Sequence, residues 1–111
     1  MRETEMICKN HEFRRLYARG ESRVSPWLAL YAKKRSKGPR RLGITVSTKV
    51  GKAVTRNRVR RRLKEAFRLN EERFVPHADI IIVARVRAAG ATWAQLEKSL
   101  LSLADELKLL Q

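Results

Sequence analysis

Cysteine is all but missing from this chain: Cys8 is the only one in 111 residues. One thiol closes no internal disulfide, which excludes a disulfide-stapled scaffold and suits a reducing compartment such as the cytoplasm. No metal-ligand partner lies near it, so it reads as a plain thiol. Long apolar runs are missing too. The longest, Trp27–Ala32 and Ile80–Ala84, fall well short of the roughly 18–20 residues that span a bilayer. Met1 to Met6 alternate in charge and lack the apolar centre of a signal peptide. The expectation is a soluble, cytoplasmic protein with no membrane attachment. Histidine is scarce: His11 and His77 are far apart in sequence and fall in different elements, a poor basis for a catalytic pair.

Positive charge is what the chain has in excess. Twenty-six Lys and Arg stand against eleven Asp and Glu, for a net charge of +15 and a pI near 11.3. The apolar fraction of 43% is ordinary for a protein with a packed core. Such a charge surplus opposes compaction by self-repulsion, and a polyanionic partner explains it. Nucleic acid fits better than membrane, because no lipidation signal accompanies the basic stretches. The charge is also concentrated. Lys33 to Arg68 contains fifteen basic residues and one acid, Glu65, while the remainder is nearly balanced. That distribution describes a binding surface rather than general solubility.

Periodicity supplies the elements of one domain spanning residues 1–111. Asn10 is positioned to cap a short helix carrying Phe13, Leu16 and Tyr17 on one face, with Gly20 at its end. A short strand at residues 21–24 and a firmer one at Trp27–Lys34 follow. In the latter both faces are apolar, so both should be at least partly covered. Lys33–Arg41 reads as a basic loop, Leu42–Ser47 and Asp79–Arg85 as strands, and about Thr55–Leu69 as a helix. The last helix opens on Thr92-Trp-Ala-Gln95, a capping-box pattern, with apolar residues at 93, 96, 100, 103, 107 and 110. The expected fold is α+β, an α-β sandwich of order α-β-β-β-α-β-α, with a four-stranded sheet and a basic crossover helix.

On that middle helix, Val59, Leu63, Ala66 and Phe67 share one stripe, and Asn57, Arg61, Lys64 and Arg68 lie opposite. Arg58, Arg60 and Arg62 flank them, and Arg56 sits near the positive end of the helix dipole. Like charges so spaced repel one another, and phosphates would reverse that penalty. Arginine also matches phosphate with a planar fork. The run Val50-Gly-Lys-Ala-Val-Thr-Arg-Asn-Arg-Val-Arg-Arg-Arg-Leu-Lys64, centred on Arg56-Asn57-Arg58, resembles the signature of the ribonuclease P protein family. The similarity extends to Asn10–Gly20, Ala29–Tyr31 and Asp79–Arg85, so it covers nearly the whole chain. Two departures are Lys64, where arginine is common, and Tyr17, where phenylalanine is frequent; both keep the charge or the ring face.

The resemblance implies a ribonucleoprotein that removes the 5′ leader of precursor tRNA, with the active site and its Mg²⁺ ions held mainly by the RNA subunit. It implies the ribonuclease P RNA and precursor tRNA as partners, no stable protein partner, and a left-handed crossover against the usual right-handed rule. Lys49, Lys52, Arg56, Asn57, Arg58, Arg60, Arg61, Lys64 and Arg68 are then expected to face the catalytic RNA. Phe13, Tyr17 and Tyr31 are expected to line a cleft for the single-stranded leader, since aromatic faces stack on any base.

Other residues offer little chemistry. Glu71 and Glu72 are better placed to balance the basic helix than to bind metal, and Trp27 and Trp93 read as partly buried anchors. Three other functions compete with this reading. One is a small ribosomal or RNA-assembly protein with no part in catalysis. Another is a DNA-binding regulator, which lacks the preceding helix and short turn of a helix-turn-helix. The third is a protein-only ribonuclease.

Overall fold

The computed structural model describes residues 3–111. Its elements are β1 (Thr4–Met6), α1 (Asn10–Arg19), β2 (Glu21–Val24), β3 (Leu28–Lys34), β4 (Arg40–Val46), α2 (Ala53–Leu69), β5 (Ala78–Ala84) and α3 (Trp93–Glu106). The strands form one sheet in the order β1-β4-β5-β3-β2. β3 is antiparallel to β2 and β5, while β4 is parallel to β1 and β5. The β4–α2–β5 connection is therefore the crossover expected of the basic helix.

The α+β class holds, and two details differ from the sequence reading. The sheet has five strands rather than four, and the order is β-α-β-β-β-α-β-α. The additional strand, β1, is only three residues long, with Glu5 and Met6 exposed, too short to show a two-residue period. It exists because β4 lies beside it, pairing Thr4 with Arg40 and Met6 with Leu42. β4 itself starts at Arg40, inside the segment read as loop. Arg40 is buried at 2% exposure, a place that charge alone argues against. Its guanidinium donates to Thr4 Oγ1 at 2.9 Å and to the carbonyls of Phe74 and Val75 at 3.2 Å, and it lies 3.6 Å from Glu71. Glu71 thus closes a buried latch rather than balancing the surface of α2.

Strand alternation gives the sheet two unlike faces. Leu28, Leu30, Leu42, Val46, Ile80 and Ile82 point toward α2 and α3 and join the main core. α2 contributes Val59, Leu63, Ala66 and Phe67, the stripe expected from the sequence. Phe67 and Phe74 pack with ring centroids 4.7 Å apart. On the other face, among the described residues, only α1 covers the sheet, over a small cluster of Ile7, Leu16 and Ile81.

The capping box of α3 is present: Gln95 N donates to Thr92 Oγ1 at 3.1 Å, and Thr92 N to Gln95 Oε1 at 2.9 Å. The helix stops at Glu106, however, and Lys108 takes a positive φ of 60°. That reversal turns Leu109 back into the core, so the regular spacing through 107 and 110 outlasts the helix itself. At α1 the cap is Lys9, without a side-chain bond, and Asn10 is the first helical residue rather than the cap.

Candidate RNA-binding site

The chain leaves β4 through a short turn, Thr48–Val50, and reaches α2 by way of Gly51. Gly51 has a φ of 154°, and a Cβ there would stand 3.1 Å from Thr55, so the tight entry needs glycine. The basic residues around α2 then divide. Arg56 Nε donates to the Gly51 carbonyl at 3.1 Å and braces this entry. Arg58 donates to the carbonyl of Ala89 at 3.2 Å and Arg62 to that of Ala91 at 2.9 Å, tying α2 to the turn after β5. Among the described residues, Arg58 Nε is buried with no hydrogen-bond partner. Arg68 is clasped by Glu65, one turn back, whose carboxyl those hydrogen bonds hold below the ordinary range. Lys49, Lys52, Asn57, Arg60, Arg61 and Lys64 are exposed. Among the described residues, none of these six has a side-chain hydrogen bond or ion pair within the protein.

The concentrated charge of Lys33–Arg68 is accordingly not one surface. Arg40 is buried, and Arg41 is held by Asp79 and Glu12, while Arg35 lies 3.2 Å from Asp79. The acids that hold them lie outside that segment, so no count within it could have shown the pairing. Strand register adds two cations that the sequence reading missed. Val46 of β4 lies level with Ala84 of β5, so the turns bearing Lys49 and Lys52 leave the sheet at the same end as Arg85 and Arg87. Arg85 donates to the carbonyl of Ser25 at 2.7 Å, and Arg87 is exposed.

The three aromatic residues are brought together on the opposite face of the sheet. The Phe13 ring lies over Gly43, where a Cβ would come within 2.7 Å of it. Tyr17 meets Tyr31 edge to face, with centroids 4.9 Å apart, and its hydroxyl shares a 3.1 Å hydrogen bond with Thr45 Oγ1. Phe13 and Tyr17 line an open groove of about 430 Å³ together with Asn10, Arg14 and Thr45. Tyr17 remains 37% exposed, with a ring edge and a polar tip at the surface. Asn10, read from sequence only as a helix cap, and Arg14 were not assigned to the groove. Their signal was the helical spacing that repeats that of Phe13 and Tyr17 along the same helix. Thr45, on a strand, carried none. A further cavity of about 490 Å³ between Trp27 and α3 includes Lys98 and Glu106 and has no comparable basic array.

Neither histidine has catalytic surroundings: His77 Nδ1 lies 2.5 Å from the Gly38 carbonyl, and His11 is exposed on α1. Among the described residues, no His, Cys, Asp and Glu side chains form a group of three that could hold a metal ion. No helix is long and apolar enough to cross a membrane among the described residues.

Comparison with known proteins gives a consistent result. A family model described as Ribonuclease P matches residues 1–108. The chain is 45% identical over 101 residues to the ribonuclease P protein component of Clostridioides difficile, covering 90% of this chain and 89% of that one. It is 36% identical over 110 residues to that of Alkaliphilus metalliredigens, covering 99% of each. The solved RNase P protein of Staphylococcus aureus is similar with a TM-score of 0.86 at 33% identity, over 96% of this chain and 97% of that one. That of Thermotoga maritima has a TM-score of 0.79 at 25% identity, over 88% and 93%. With the basic helix, the aromatic groove and the sheet between them in place, the chain belongs to the ribonuclease P protein family, the protein subunit of the endoribonuclease ribonucleoprotein that processes the 5′ end of tRNA.

Proposed function

We propose that the two surfaces divide the work of that subunit. The exposed side of α2 and its approach, with Lys49, Lys52, Asn57, Arg60, Arg61 and Lys64, sit against the ribonuclease P RNA. Arg56, Arg58 and Arg68 belong to the same surface but are partly committed to the fold, so their role is to shape it as well as to touch phosphate. The groove of Phe13 and Tyr17, with Tyr31 packed edge to face against Tyr17, takes the single-stranded leader of precursor tRNA. Stacking there is worth about 1–3 kcal/mol per base and tolerates any sequence. Arg14 at the groove is placed for a leader phosphate, and the left-handed β4–α2–β5 crossover belongs to the same reading.

The observation that carries this is the lack of protein partners for the basic face of α2. Six polar or charged side chains are exposed there with nothing among the described residues to satisfy or neutralise them. A protein whose like charges crowd one face is stabilised by a polyanion laid across it. Mg²⁺ is assigned to the RNA. The acids near the groove and α2 (Glu12, Asp79, Glu65) are already engaged by arginines and do not fit a metal site, so no step is routed through a protein-bound ion. The chain acts in the cytoplasm on this reading. A ribosomal or assembly protein outside catalysis is not favoured, given the family match over residues 1–108.

Reconstitution tests the proposal. Added to a bacterial ribonuclease P RNA at low Mg²⁺, the protein is expected to restore leader removal and leave a 5′-phosphate on the tRNA. Cleavage by the protein without RNA would overturn it, and a 2′,3′-cyclic phosphate product would point to histidine chemistry.

A further inference from the structure

The helix that walls the leader groove has a narrow footing. α1 is ten residues long, below the roughly 12–15 at which an isolated helix holds together in water. Leu16 is its only buried residue, against four in α2 and five in α3. Its position over the sheet therefore depends on few apolar contacts. Among the described residues, two polar side-chain ties link it to the sheet. Toward its C-terminal end the Tyr17 hydroxyl meets Thr45. Near its N-terminal end Glu12 accepts a hydrogen bond from Arg41 Nη1.

Arg41 is itself held rigidly. Asp79, its register partner on β5, takes Nε at 3.0 Å and Nη2 at 3.2 Å in a two-pronged pair, leaving Nη1 for Glu12. Arg35 stands 3.2 Å from the same Asp79 oxygen that Arg41 Nε engages. The hydrogen bond from Arg41 holds the Glu12 carboxyl below the ordinary range, so it stays charged at neutral pH. Phe13, which follows Glu12 directly, lies over Gly43, which is on the same strand as Arg41. The ion pair and the ring contact therefore seat neighbouring residues of α1 on one short stretch of β4.

We propose that the Glu12–Arg41–Asp79 chain is a positioning device that sets the distance of α1 from the sheet, and with it the width of the leader groove. This rests on the reading of the groove as the leader site. A carboxylate beside a groove for a polyanion is otherwise a burden, since it repels phosphate. The two views of Glu12 differ in sign. If only its charge matters, removing it tightens leader binding; if it holds α1, removing it loosens binding.

The experiment measures the affinity of the reconstituted holoenzyme for precursor tRNA relative to mature tRNA, with the wild-type protein, Glu12→Gln, Arg41→Lys and Tyr17→Ala. Glu12→Gln removes the charge in nearly the same shape, and Arg41→Lys keeps the charge but loses the fork. Both are expected to lower the precursor preference by about threefold to tenfold, the size of a partly exposed charge-assisted bond, with affinity for the ribonuclease P RNA and melting temperature nearly unchanged. A precursor preference that rises or stays level in Glu12→Gln, while Tyr17→Ala lowers it, overturns the positioning role and leaves the groove assignment standing. If Tyr17→Ala leaves the preference unchanged, the groove assignment and the positioning role fall together. Should Arg41→Lys lose the fold, Glu12→Gln alone decides, because Glu12 is half-exposed on a surface helix.

Discussion

The two faces of the sheet are built to different standards. Toward α2 and α3, strands and helices interlock around Leu63, Phe67, Ile80, Ile82 and Leu100, all at 0% exposure. Toward α1 the buried cluster is Ile7, Leu16 and Ile81, and an open groove runs beside it. The closed face supports the fold and presents the outer side of α2 as a rigid basic plate. The thinly covered face leaves aromatic rings within reach of a flexible strand. On the proposed reading, the site for an unstructured ligand sits where the core is incomplete, because a fully packed face has no room for bases.

The difference is sharpest in core truncations. Leu100→Ala should destabilise the protein by about 2–5 kcal/mol, since a cavity between α3 and the sheet has rigid walls. Leu16→Ala should fall at the low end of that range, because α1 can settle into the space, and it should also weaken precursor tRNA binding. Urea unfolding of both variants checks this, and equal costs would show that the two faces are packed alike. Next in size is the basic plate. Replacing Arg60, Arg61 and Lys64 with alanine should flatten the salt dependence of ribonuclease P RNA binding by a log–log slope of up to about 2–3 units. These are chosen over Arg56, whose bond to Gly51 would mix a folding effect into the result. An unchanged slope would remove α2 from the RNA surface.

The smallest expected effect is at the end of that plate. Glu65→Gln frees Arg68 and removes an acid, so RNA affinity should rise slightly. Because the Glu65 carboxyl is held below its ordinary value of 4.5, the pair persists at neutral and mildly acid pH. It is lost only as pH falls through the depressed folded value. RNA affinity that is insensitive to Glu65→Gln would mean Arg68 lies outside the contact.

Much of this architecture is legible in the order of residues. The buried stripe of α2, the capping box of α3 and the strand centres follow from local periodicity, which the chain carries wherever an element is long enough to repeat. β1 is not legible, because three residues contain no period and their stability comes from Arg40 and Leu42 alongside them. The α2 array is legible as charge. What charge does not show is the difference between Arg58, bonded to Ala89, and Arg61, which has no side-chain partner among the described residues. Arg85 and Arg87 give no signal, since only parallel pairing of β4 with β5 brings them to the end of the sheet that also carries Lys49 and Lys52.

Composition and periodicity were enough to dictate a sheet with two apolar sides and more positive charge than the chain could neutralise. Both are properties of the chain, independent of what packs against what. Which arginines remain free was settled only in three dimensions. Pairing a guanidinium with Asp79 at 3.0 Å, with Glu71 at 3.6 Å or with a carbonyl at 3.2 Å requires partners distant in sequence to meet, and only the folded arrangement of strands and helices brings them there.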